Sequence, residues 1–307
     1  MSATPIELAT PAARMVVAPA AGGAIASFDV QGSAILRRTP DDALAANDVR
    51  RMACFPLVPY SNRIRRARLA FDGHEFALAR NFGAALESIH GVGWQRPWHV
   101  AEAGRDRVLL ELVHDAHGDD ARAWPWPFAA ALAYRLVDVD GACVLGVSLA
   151  LRNTGDAAFP FGLGFHPFFP KHASTRVGFV AGGVWQNDTD VMPIAKTAIP
   201  DAWRFAPPRA PGEAVLDNVF TGFGGTATVD DAFASRRVDA DGALAFAVVY
   251  APQRRDFLAI EPVTHETDAF NRASNGEAGT GTRILRPGDA FSCTMRITAR
   301  VPSLPPR

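Results

Sequence analysis

Strict alternation of apolar and polar residues limits the fold of this chain more than any other feature of its sequence. The alternation runs through residues 291–301 and again through residues 145–151, where the turn residues 153–155 follow. Successive side chains of a β-strand point to opposite faces, so a period of two predicts strands with one buried face. Shorter segments of strand character lie at residues 22–32, 129–137 and 244–250.

Turn-forming residues agree with this pattern. The chain of 307 residues contains 26 glycines and 23 prolines, which are spread along its length and interrupt long helices. Asp72 and Gly73 separate two short apolar segments and predict a hairpin with a type I′ turn. One short helix is predicted at residues 40–47 and a long surface loop at residues 200–211. The sequence therefore predicts an all-β protein of two packed sheets, with residues 1–307 in one domain and a frayed tail from about residue 300.

Composition narrows the class of protein. There are 31 basic and 32 acidic residues, a balance that gives no support to a nucleic-acid partner. The three cysteines, Cys54, Cys143 and Cys293, are widely spaced and predict reduced thiols rather than a disulfide or zinc framework. The first 20 residues do not have the pattern of a signal peptide, and no apolar stretch is long enough to span a bilayer. We expect a soluble cytoplasmic protein without a membrane partner.

Two residues are candidates for proton transfer. His166 lies in the segment Phe161-Gly-Leu-Gly-Phe-His166-Pro-Phe-Phe169, where apolar neighbours would disfavour its charged form and shift its pKa. A buried histidine that bonds only to the backbone explains this segment about equally well. Glu261 follows the apolar pair Leu258 and Ile260, and Pro262 is expected to end the strand there. A carboxylate at the end of a strand can meet a ligand, although a solvated glutamate is common at such a position.

Other polar residues are candidates for ligand binding. Asn62 and Arg63 follow an apolar block and could donate hydrogen bonds to hydroxyl groups. His90 precedes Gly91, which allows close approach of the backbone, and Asp217 lies beside aromatic residues. Each of these segments, taken alone, is more typical of a structural role.

Two further segments carry weaker hypotheses. His114 and His117 lie in an acidic loop, residues 114–120, that could hold a divalent ion but is more typical of a solvated turn. Trp124 and Trp126 could stack on a sugar ring beside a pocket or could belong to the core. No dinucleotide-binding, phosphate-binding or serine-nucleophile motif is present, so no cofactor and no metal is predicted.

The order of these segments resembles the aldose 1-epimerase (galactose mutarotase) family over most of the chain. The resemblance implies a large antiparallel β-sandwich of the galactose mutarotase type, and an enzyme that interconverts the α and β anomers of a sugar without a cofactor. It implies Glu261 as general base and His166 as general acid, with Arg63, His90 and Asp217 binding sugar hydroxyls and Asn62 as a weaker contact. Residues 263–271 resemble more divergent bacterial members of the family, which leaves the sugar open.

Anomer exchange explains why such a family needs an acid and a base. A base takes the proton from the C1 hydroxyl while an acid protonates the ring oxygen, and the ring then opens, rotates and closes. On this basis His166 is expected to be protonated at the start of the cycle, and the charge of Glu261 is expected to favour that state. We expect a small sugar as the only partner, bound by a monomer or a homodimer.

Three alternatives remain from the sequence. A hexose-6-phosphate 1-epimerase would use the same pair, with Arg63, Arg65, Arg66 and Arg68 available to hold the phosphate. A carbohydrate-binding or sugar-sensing protein on the same fold would not need the pair at all. A polysaccharide hydrolase or lyase would usually need two carboxylates, and only Glu261 is a convincing candidate.

Overall fold

The structure, a computed structural model, describes residues 4–212 and 215–302. In these ranges the chain is built mainly from short and medium-length strands joined by tight turns. In chain order the strands are β1 (Ile6–Ala9), β2 (Ala13–Ala18), β3 (Ala24–Val30), β4 (Ser33–Ala34), β5 (Pro56–Leu57), β6 (Arg63–Ile64), β7 (Arg68–Phe71), β8 (His74–Ala77), β9 (Ser88–Ile89), β10 (His99–Ala103), β11 (Arg107–His114), β12 (Phe128–Val139), β13 (Ala142–Asn153), β14 (Phe159–Phe161), β15 (Gly164–Phe165), β16 (Phe168–Pro170), β17 (Arg176–Phe179), β18 (Gly183–Asn187), β19 (Pro193–Thr197), β20 (Leu216–Thr221), β21 (Thr226–Asp230), β22 (Ser235–Ala240), β23 (Phe246–Ala251), β24 (Phe257–Val263), β25 (Arg283–Leu285) and β26 (Ala290–Arg300). The helices are α1 (Asp41–Ala45), α2 (Asp119–Ala123) and α3 (Ala269–Ser274), and 3-10 turns lie at Val49–Arg51, Arg65–Ala67, Gly93–Gln95 and Asp201–Trp203.

Two large antiparallel sheets form the body of the fold. The first has the strand order β10-β11-β12-β13-β26-β22-β21-β17. The second has the order β19-β18-β20-β23-β24-β15-β5, and β16 also pairs with β24. One hydrophobic cluster takes residues from facing sides of both sheets, including Leu149 and Ile297 from the first and Leu258 and Ile260 from the second. The prediction of an all-β protein with two packed sheets is confirmed.

The alternating segments of the sequence explain how this core forms. Along β13 the residues Leu145, Val147, Leu149 and Leu151 are buried in turn, and their neighbours are only partly covered. The same period holds in β26, which pairs with β13 over ten residues. Because an antiparallel strand presents every second side chain to the same face, the sequence pattern determines which face meets the core.

Most local predictions of secondary structure are confirmed. The hairpin of β7 and β8 turns at Asp72 and Gly73, whose φ angles of 50° and 73° are those of a type I′ turn. The short helix α1 lies within the predicted range, and residues 200–211 form a loop with one 3-10 turn. Helices α2 and α3 were not predicted, since each has only five or six residues and no visible helical period. In the predicted tail, residues 303–307 lie outside the described residues.

The second sheet also has a covered outer face. Along β24, Ala259 and Val263 point away from the main core and join a smaller cluster with Val248 of β23. Residues from the N-terminal sheet β1-β2-β3-β4 and the segment after it pack on this cluster, among them Met52 and Phe55. This arrangement leaves a space between the outer face of the sheet and its cover. No helix in the described ranges has the length and apolar character needed to cross a membrane.

Candidate active site

The space over the second sheet is a cavity of about 230 Å³. All six residues that the sequence predicted as site residues line it, although they come from distant parts of the chain. They are Asn62, Arg63, His90, His166, Asp217 and Glu261. The remaining wall is largely aromatic and includes Phe55, Trp94, Phe168 and Tyr250, which the sequence did not indicate.

Glu261 lies on the floor of the cavity because of its register in the sheet. It pairs with Val248, which pairs with Val219, and Asp217 projects from the same face of β20 two residues away. Glu261 is 2% exposed. The sequence thus placed a carboxylate at the end of an apolar strand, and the sheet turns that carboxylate toward the cavity rather than toward solvent.

The prediction that Pro262 ends this strand is wrong. The β24 ladder continues with Pro262 opposite Ala247 and Val263 opposite Phe246. Thr264, two residues further on, donates its N–H toward β15, and strand alternation turns the nitrogen of Pro262 to the same side. There β24 faces the gap between β15 and β16. The missing N–H of proline therefore breaks no bond of the ladder.

His166 occupies that gap, directly beside Glu261. Its backbone N–H donates to the carbonyl of Phe55 at 3.0 Å, and its ring stacks on Phe168 with 4.3 Å between ring centres. Gly164 allows the segment to approach β24, because a Cβ there would lie 2.7 Å from the Val263 side chain. As a result the Nε2 atom of His166 lies 3.2 Å from the Oε1 atom of Glu261.

The burial of His166 and Glu261 is unfavourable for the stability of the fold. His166 Nδ1 and Glu261 Oε2 are inaccessible to solvent and have no hydrogen-bond partner in the described parts of the chain. Buried polar groups in proteins are normally satisfied, and an unsatisfied atom costs about 1–3 kcal/mol. Such a pair reduces stability, so its presence on the floor of a cavity points to a chemical role.

Burial sets the protonation of the two groups. Loss of solvent raises the pKa of Glu261 well above its usual value, and the nearby negative charge of Asp217 adds to this effect. Loss of solvent also lowers the pKa of His166, and the positive charge of Arg37 acts in the same direction. The expectation that Glu261 would favour a charged His166 is opposed by this burial, because desolvation is the largest influence on the His166 pKa and disfavours the imidazolium. Both shifts favour the arrangement in which Glu261 carries a proton and His166 is neutral.

A tight turn carries Asn62 and presents His90. Asn62 has a φ of 56°, its N–H donates to His90 Nδ1 at 3.0 Å, and its carbonyl accepts from the backbone of His90 at 2.9 Å. Because Nδ1 accepts a hydrogen bond, the ring proton of His90 sits on Nε2 and can be donated to a ligand. Burial lowers the pKa of His90 to about 3, with a further contribution from Arg63, so His90 is a neutral donor.

Residues 263–271, which sequence reasoning did not place, support this turn from below. His265 Nε2 accepts the N–H of Ser61 at 3.0 Å, and its Nδ1 donates to the carbonyl of Glu266 at 2.7 Å. Asp268 donates its backbone N–H to the carbonyl of Arg63 and accepts the N–H of Arg65. The turn with Asn62 and Arg63 is thus held from both ends by buried polar groups.

Arg63 and Asp217 face each other across the cavity. The Nη2 atom of Arg63 lies 3.3 Å from the Oδ2 atom of Asp217, and both side chains remain partly accessible. An arginine and an aspartate at this distance supply both donors and acceptors, which a polyhydroxylated ligand needs. Their opposite charges also act on Glu261, where Arg63 lowers the pKa and Asp217 raises it.

The structure bears on both of the weaker hypotheses from the sequence. Trp124 and Trp126 are buried in the core, so they do not stack on a ligand. His114 is also buried, and its Nε2 atom contacts the carbonyl of Trp124 at 2.7 Å, so it is not available to the loop that follows. The described residues contain no group of three or more histidine, cysteine or acidic side chains arranged to hold a metal.

Of the four arginines at residues 63–68 that the sequence suggested for a phosphate, most do not face the cavity. Of these four, only Arg63 lines the cavity. Arg65 lies 3.8 Å from both Asp188 and Asp268, and Arg68 lies 3.4 Å from Glu75 on the neighbouring strand. The sequence could not show this, because the chain makes a 3-10 turn at Arg65–Ala67 and the side chains leave the register of a strand.

Comparison with known proteins identifies the family. The family model described as aldose 1-epimerase matches residues 5–298. The chain belongs to the aldose 1-epimerase family. A curated relative from Escherichia coli (strain K12), uncharacterized protein YphB, is 25% identical over 286 residues, which cover 90% of this chain and 92% of the relative.

Solved structures agree with the fold of an aldose 1-epimerase family member. An E. coli K12 protein with a provisional aldose 1-epimerase name has a TM-score of 0.86 at 23% identity, covering 97% of this chain and 99% of the other. A galactose mutarotase-like protein from Clostridium acetobutylicum has a TM-score of 0.82 at 17% identity, with 97% and 95% covered. At these identities the likeness establishes a galactose mutarotase-like fold, which confirms the predicted fold class.

Proposed function

We propose that this protein is an aldose 1-epimerase that interconverts the α and β anomers of a sugar, with Glu261 as general base and His166 as general acid. The observation that carries the proposal is the 3.2 Å contact between His166 Nε2 and Glu261 Oε1 on the floor of a cavity with a largely aromatic wall. An acid and a base side by side in a buried site can act on adjacent oxygens of one molecule.

The single proton of the pair suits a reaction that runs in both directions. Ring opening needs a carboxylate to accept the C1 hydroxyl proton and an imidazolium to protonate the ring oxygen. Ring closure needs the reverse, a protonated carboxyl and a neutral imidazole. The two states differ only by which residue holds the proton, so one turnover converts the first into the second and back. The lowered pKa of His166 and the raised pKa of Glu261 favour the second state, with the proton on Glu261.

The other polar residues would hold the sugar in place while its ring opens. His90 offers a neutral N–H donor, and Arg63 and Asp217 offer a donor and an acceptor across the cavity. The rings of Phe55 and Trp94 could pack against the apolar face of the sugar. Positioning of this kind lowers the entropic cost of the reaction, and it requires neither a cofactor nor a metal.

The competing functions have less support. A binding or sensing protein would have no reason to retain an unsatisfied buried acid and base, which lower stability. A hydrolase of the usual type would place a second carboxylate across the scissile bond. In this cavity the other acidic residue is Asp217, and it is engaged by Arg63.

The proposal can be tested by polarimetry with freshly dissolved α-glucose and α-galactose. The wild type is expected to accelerate the approach to anomeric equilibrium above the buffer rate. Glu261→Gln is expected to lose at least about 100-fold in kcat, since each positioned proton transfer contributes roughly 10²–10⁴-fold. Glu111→Gln is a matched control, because Glu111 is an exposed residue of β11 in the other sheet.

The outcomes separate the parts of the proposal. No acceleration by the wild type on any sugar, neutral or charged, would refute the epimerase assignment. An active wild type that Glu261→Gln matches would refute the assignment of the base. Thermal unfolding of the variants must accompany the rates, so that a folding defect is not mistaken for a loss of chemistry.

The cellular setting is part of the same proposal. All three cysteines are free and buried, and burial raises the pKa of Cys54 above its ordinary range. Unpaired thiols of this kind are typical of a reducing compartment, which supports a cytoplasmic enzyme.

A further inference from the structure

A second cavity opens from the edge of the catalytic cavity. This cleft, of about 680 Å³, shares four lining residues with the catalytic cavity: Arg37, Arg50, Tyr250 and Phe257. A molecule bound over Glu261 could therefore extend into it. Nothing in the chemistry of anomer exchange requires this additional space.

The cleft is strongly basic, although the whole chain has a formal charge of −1. The charged residues that line it, apart from His172, are Arg37, Arg38, Arg50, Arg51, Arg255 and Asp256. Three of the arginines have an acidic partner outside the cleft, namely Asp29 for Arg38, Asp48 for Arg50 and Asp42 for Arg51. For Arg37 and Arg255, no carboxylate of the described residues lies within 4.0 Å. These two cations thus have no ion pair among the described residues, although the carboxylate of Asp256 in the same cleft acts on Arg37 from a greater distance.

Arg37 stands where the two cavities meet. Its Nε and Nη2 atoms donate to the carbonyl of Met52, and Nη2 also donates to the carbonyl of Arg50. Its guanidinium carbon lies 3.5 Å from the centre of the Phe168 ring, on which His166 also stacks. Backbone carbonyls and rings orient this side chain without neutralising it. Burial lowers its pKa to about 10, so it remains a cation at neutral pH.

The position of Arg37 relative to His166 relates the cleft to one part of a sugar. In the proposed reaction His166 protonates the ring oxygen, which is bonded to carbon 1 and carbon 5. Carbon 1 lies between Glu261 and His166 in this scheme, so carbon 5 and its substituent, carbon 6, are directed to the other side. Arg37 lies on the Phe168 side of His166, because both side chains contact the Phe168 ring.

We propose that the cleft binds an anionic group on carbon 6 of the sugar, so that the preferred substrates are aldoses carrying a phosphate, a sulfate or a carboxylate there. This inference rests on the proposed epimerase function and adds the substrate class to it. Arg37 and Arg255 supply the charge. The Nε and Nη2 atoms of Arg37 bond to backbone carbonyls, which leaves its Nη1 atom to donate to such an oxyanion. These are not the arginines that the sequence suggested for a phosphate, since Arg65 and Arg68 pair with acids elsewhere.

An anion in this position would also act on the catalytic pair. The positive field of Arg37 contributes to the lowered pKa of His166. A negative group beside Arg37 would offset this field and favour the imidazolium that ring opening requires. The charged part of the substrate would then assist kcat as well as binding.

The test compares kcat/KM for four sugars after subtraction of the buffer rate: glucose, glucose 6-phosphate, glucose 6-sulfate and glucuronate. NMR exchange spectroscopy follows both anomers of each. We expect at least one anionic sugar to exceed glucose by tenfold or more. This preference should decrease between about 0.05 M and 0.5 M salt, because the cleft is open to solvent and its charges are screened. The three anionic arms show which oxyanion the cleft accepts.

Variants then locate the anion. Arg255 is exposed, so Arg255→Gln should fold normally, and it is expected to lower the ratio of anionic to neutral kcat/KM roughly tenfold, as loss of one charge-assisted hydrogen bond would. Arg37→Lys keeps a charge but loses the guanidinium Nη1 donors, and it should lower the same ratio. Arg107→Gln is the matched control, because Arg107 is an exposed arginine on the other sheet, and it should leave the ratio unchanged.

The two proposals fail in different ways. If no sugar is accelerated, the epimerase function itself is refuted. If glucose is accelerated and no anionic sugar is preferred, the epimerase function stands and the anion site is refuted. A preference that neither salt nor Arg255→Gln changes would also overturn the assignment of the cleft.

Discussion

Gly162 offers a sharp test of how the site is supported. It follows β14 in the segment that leads to His166, and it packs directly on His265. A Cβ at this position would lie 1.8 Å from Cδ2 of His265 and 2.9 Å from Oγ1 of Thr264. Real Cβ atoms do not approach other atoms so closely, so Gly162→Ala must displace the imidazole.

The size of the effect follows from how His265 is held. Its two ring nitrogens bond to the backbone of Ser61 and Glu266, so the ring cannot rotate away without breaking a buried hydrogen bond. Overpacking costs about 1–3 kcal/mol and an unsatisfied buried group about 1–3 kcal/mol, so we expect Gly162→Ala to lower the free energy of unfolding by about 2–6 kcal/mol. The Ser61 N–H that loses its acceptor adjoins Asn62 and Arg63, so KM for the sugar should also rise.

Urea denaturation measures the stability and anomer-exchange kinetics measures KM. Gly242→Ala is the matched control, because a Cβ at Gly242 would meet nothing within 4 Å and the backbone there does not have positive φ. It should change the free energy of unfolding by less than about 1 kcal/mol.

A double-mutant cycle identifies the contact. In the double variant Gly162→Ala with His265→Ala, the added methyl group can enter the space that the imidazole leaves. The double variant should therefore lose less free energy of unfolding than the sum of the losses in the two single variants. If Gly162→Ala is as stable as the wild type, or if the two losses are additive, the proposed support of the site by His265 is wrong.

Three further predictions follow from the buried charges. Because burial raises the pKa of Glu261 and lowers that of His166, the pair should share one proton over a wide pH range, and kcat/KM should be flat around neutral pH. The value of kcat/KM should fall in acid, where His166 gains a proton, and in alkali, where Glu261 loses its proton. A sharp optimum in a pH–rate profile would contradict this. Glu261→Gln should be more stable than the wild type, by a margin that grows as pH rises above 4.5, because the folded wild type keeps a proton that the unfolded chain releases. Urea denaturation at several pH values measures this difference in the free energy of unfolding, and a difference that shrinks as pH rises would exclude the raised pKa. The NMR signals of His90 should not titrate above about pH 4, since its pKa is about 3, and a midpoint near 6 would show that it is charged at the site.

Sequence reasoning succeeded where a property is local. The alternation in β13 and β26 determines which side chains face the core, because a strand can turn its residues only to two faces. Asp72 and Gly73 adopt the positive φ angles that suit these two residue types, and the hairpin follows. The six predicted site residues were found through the order of their motifs, and each of them lines the cavity.

Other features depend on which segments meet. Arg37 was not indicated by the sequence, because its importance comes from Phe168 and from the carbonyl of Met52, to which it donates from 15 positions earlier in the chain. Arg236 is completely buried, and it is tolerated only because its guanidinium bonds to Asp231 and to the carbonyl of Ile35, which the fold brings to it. No pattern around Arg236 distinguishes it from an exposed arginine of a strand.

The proposed acid and base show the same division. The sequence by itself determined that a glutamate follows an apolar strand and that a histidine lies among phenylalanines. Only the tertiary structure decided that β24 continues through Pro262, that His166 lies in the gap beside it, and that 3.2 Å separates the two groups. It also decided the direction of their pKa shifts, because a pKa depends on solvent and on neighbouring charges, and burial raises the pKa of Glu261 and lowers that of His166.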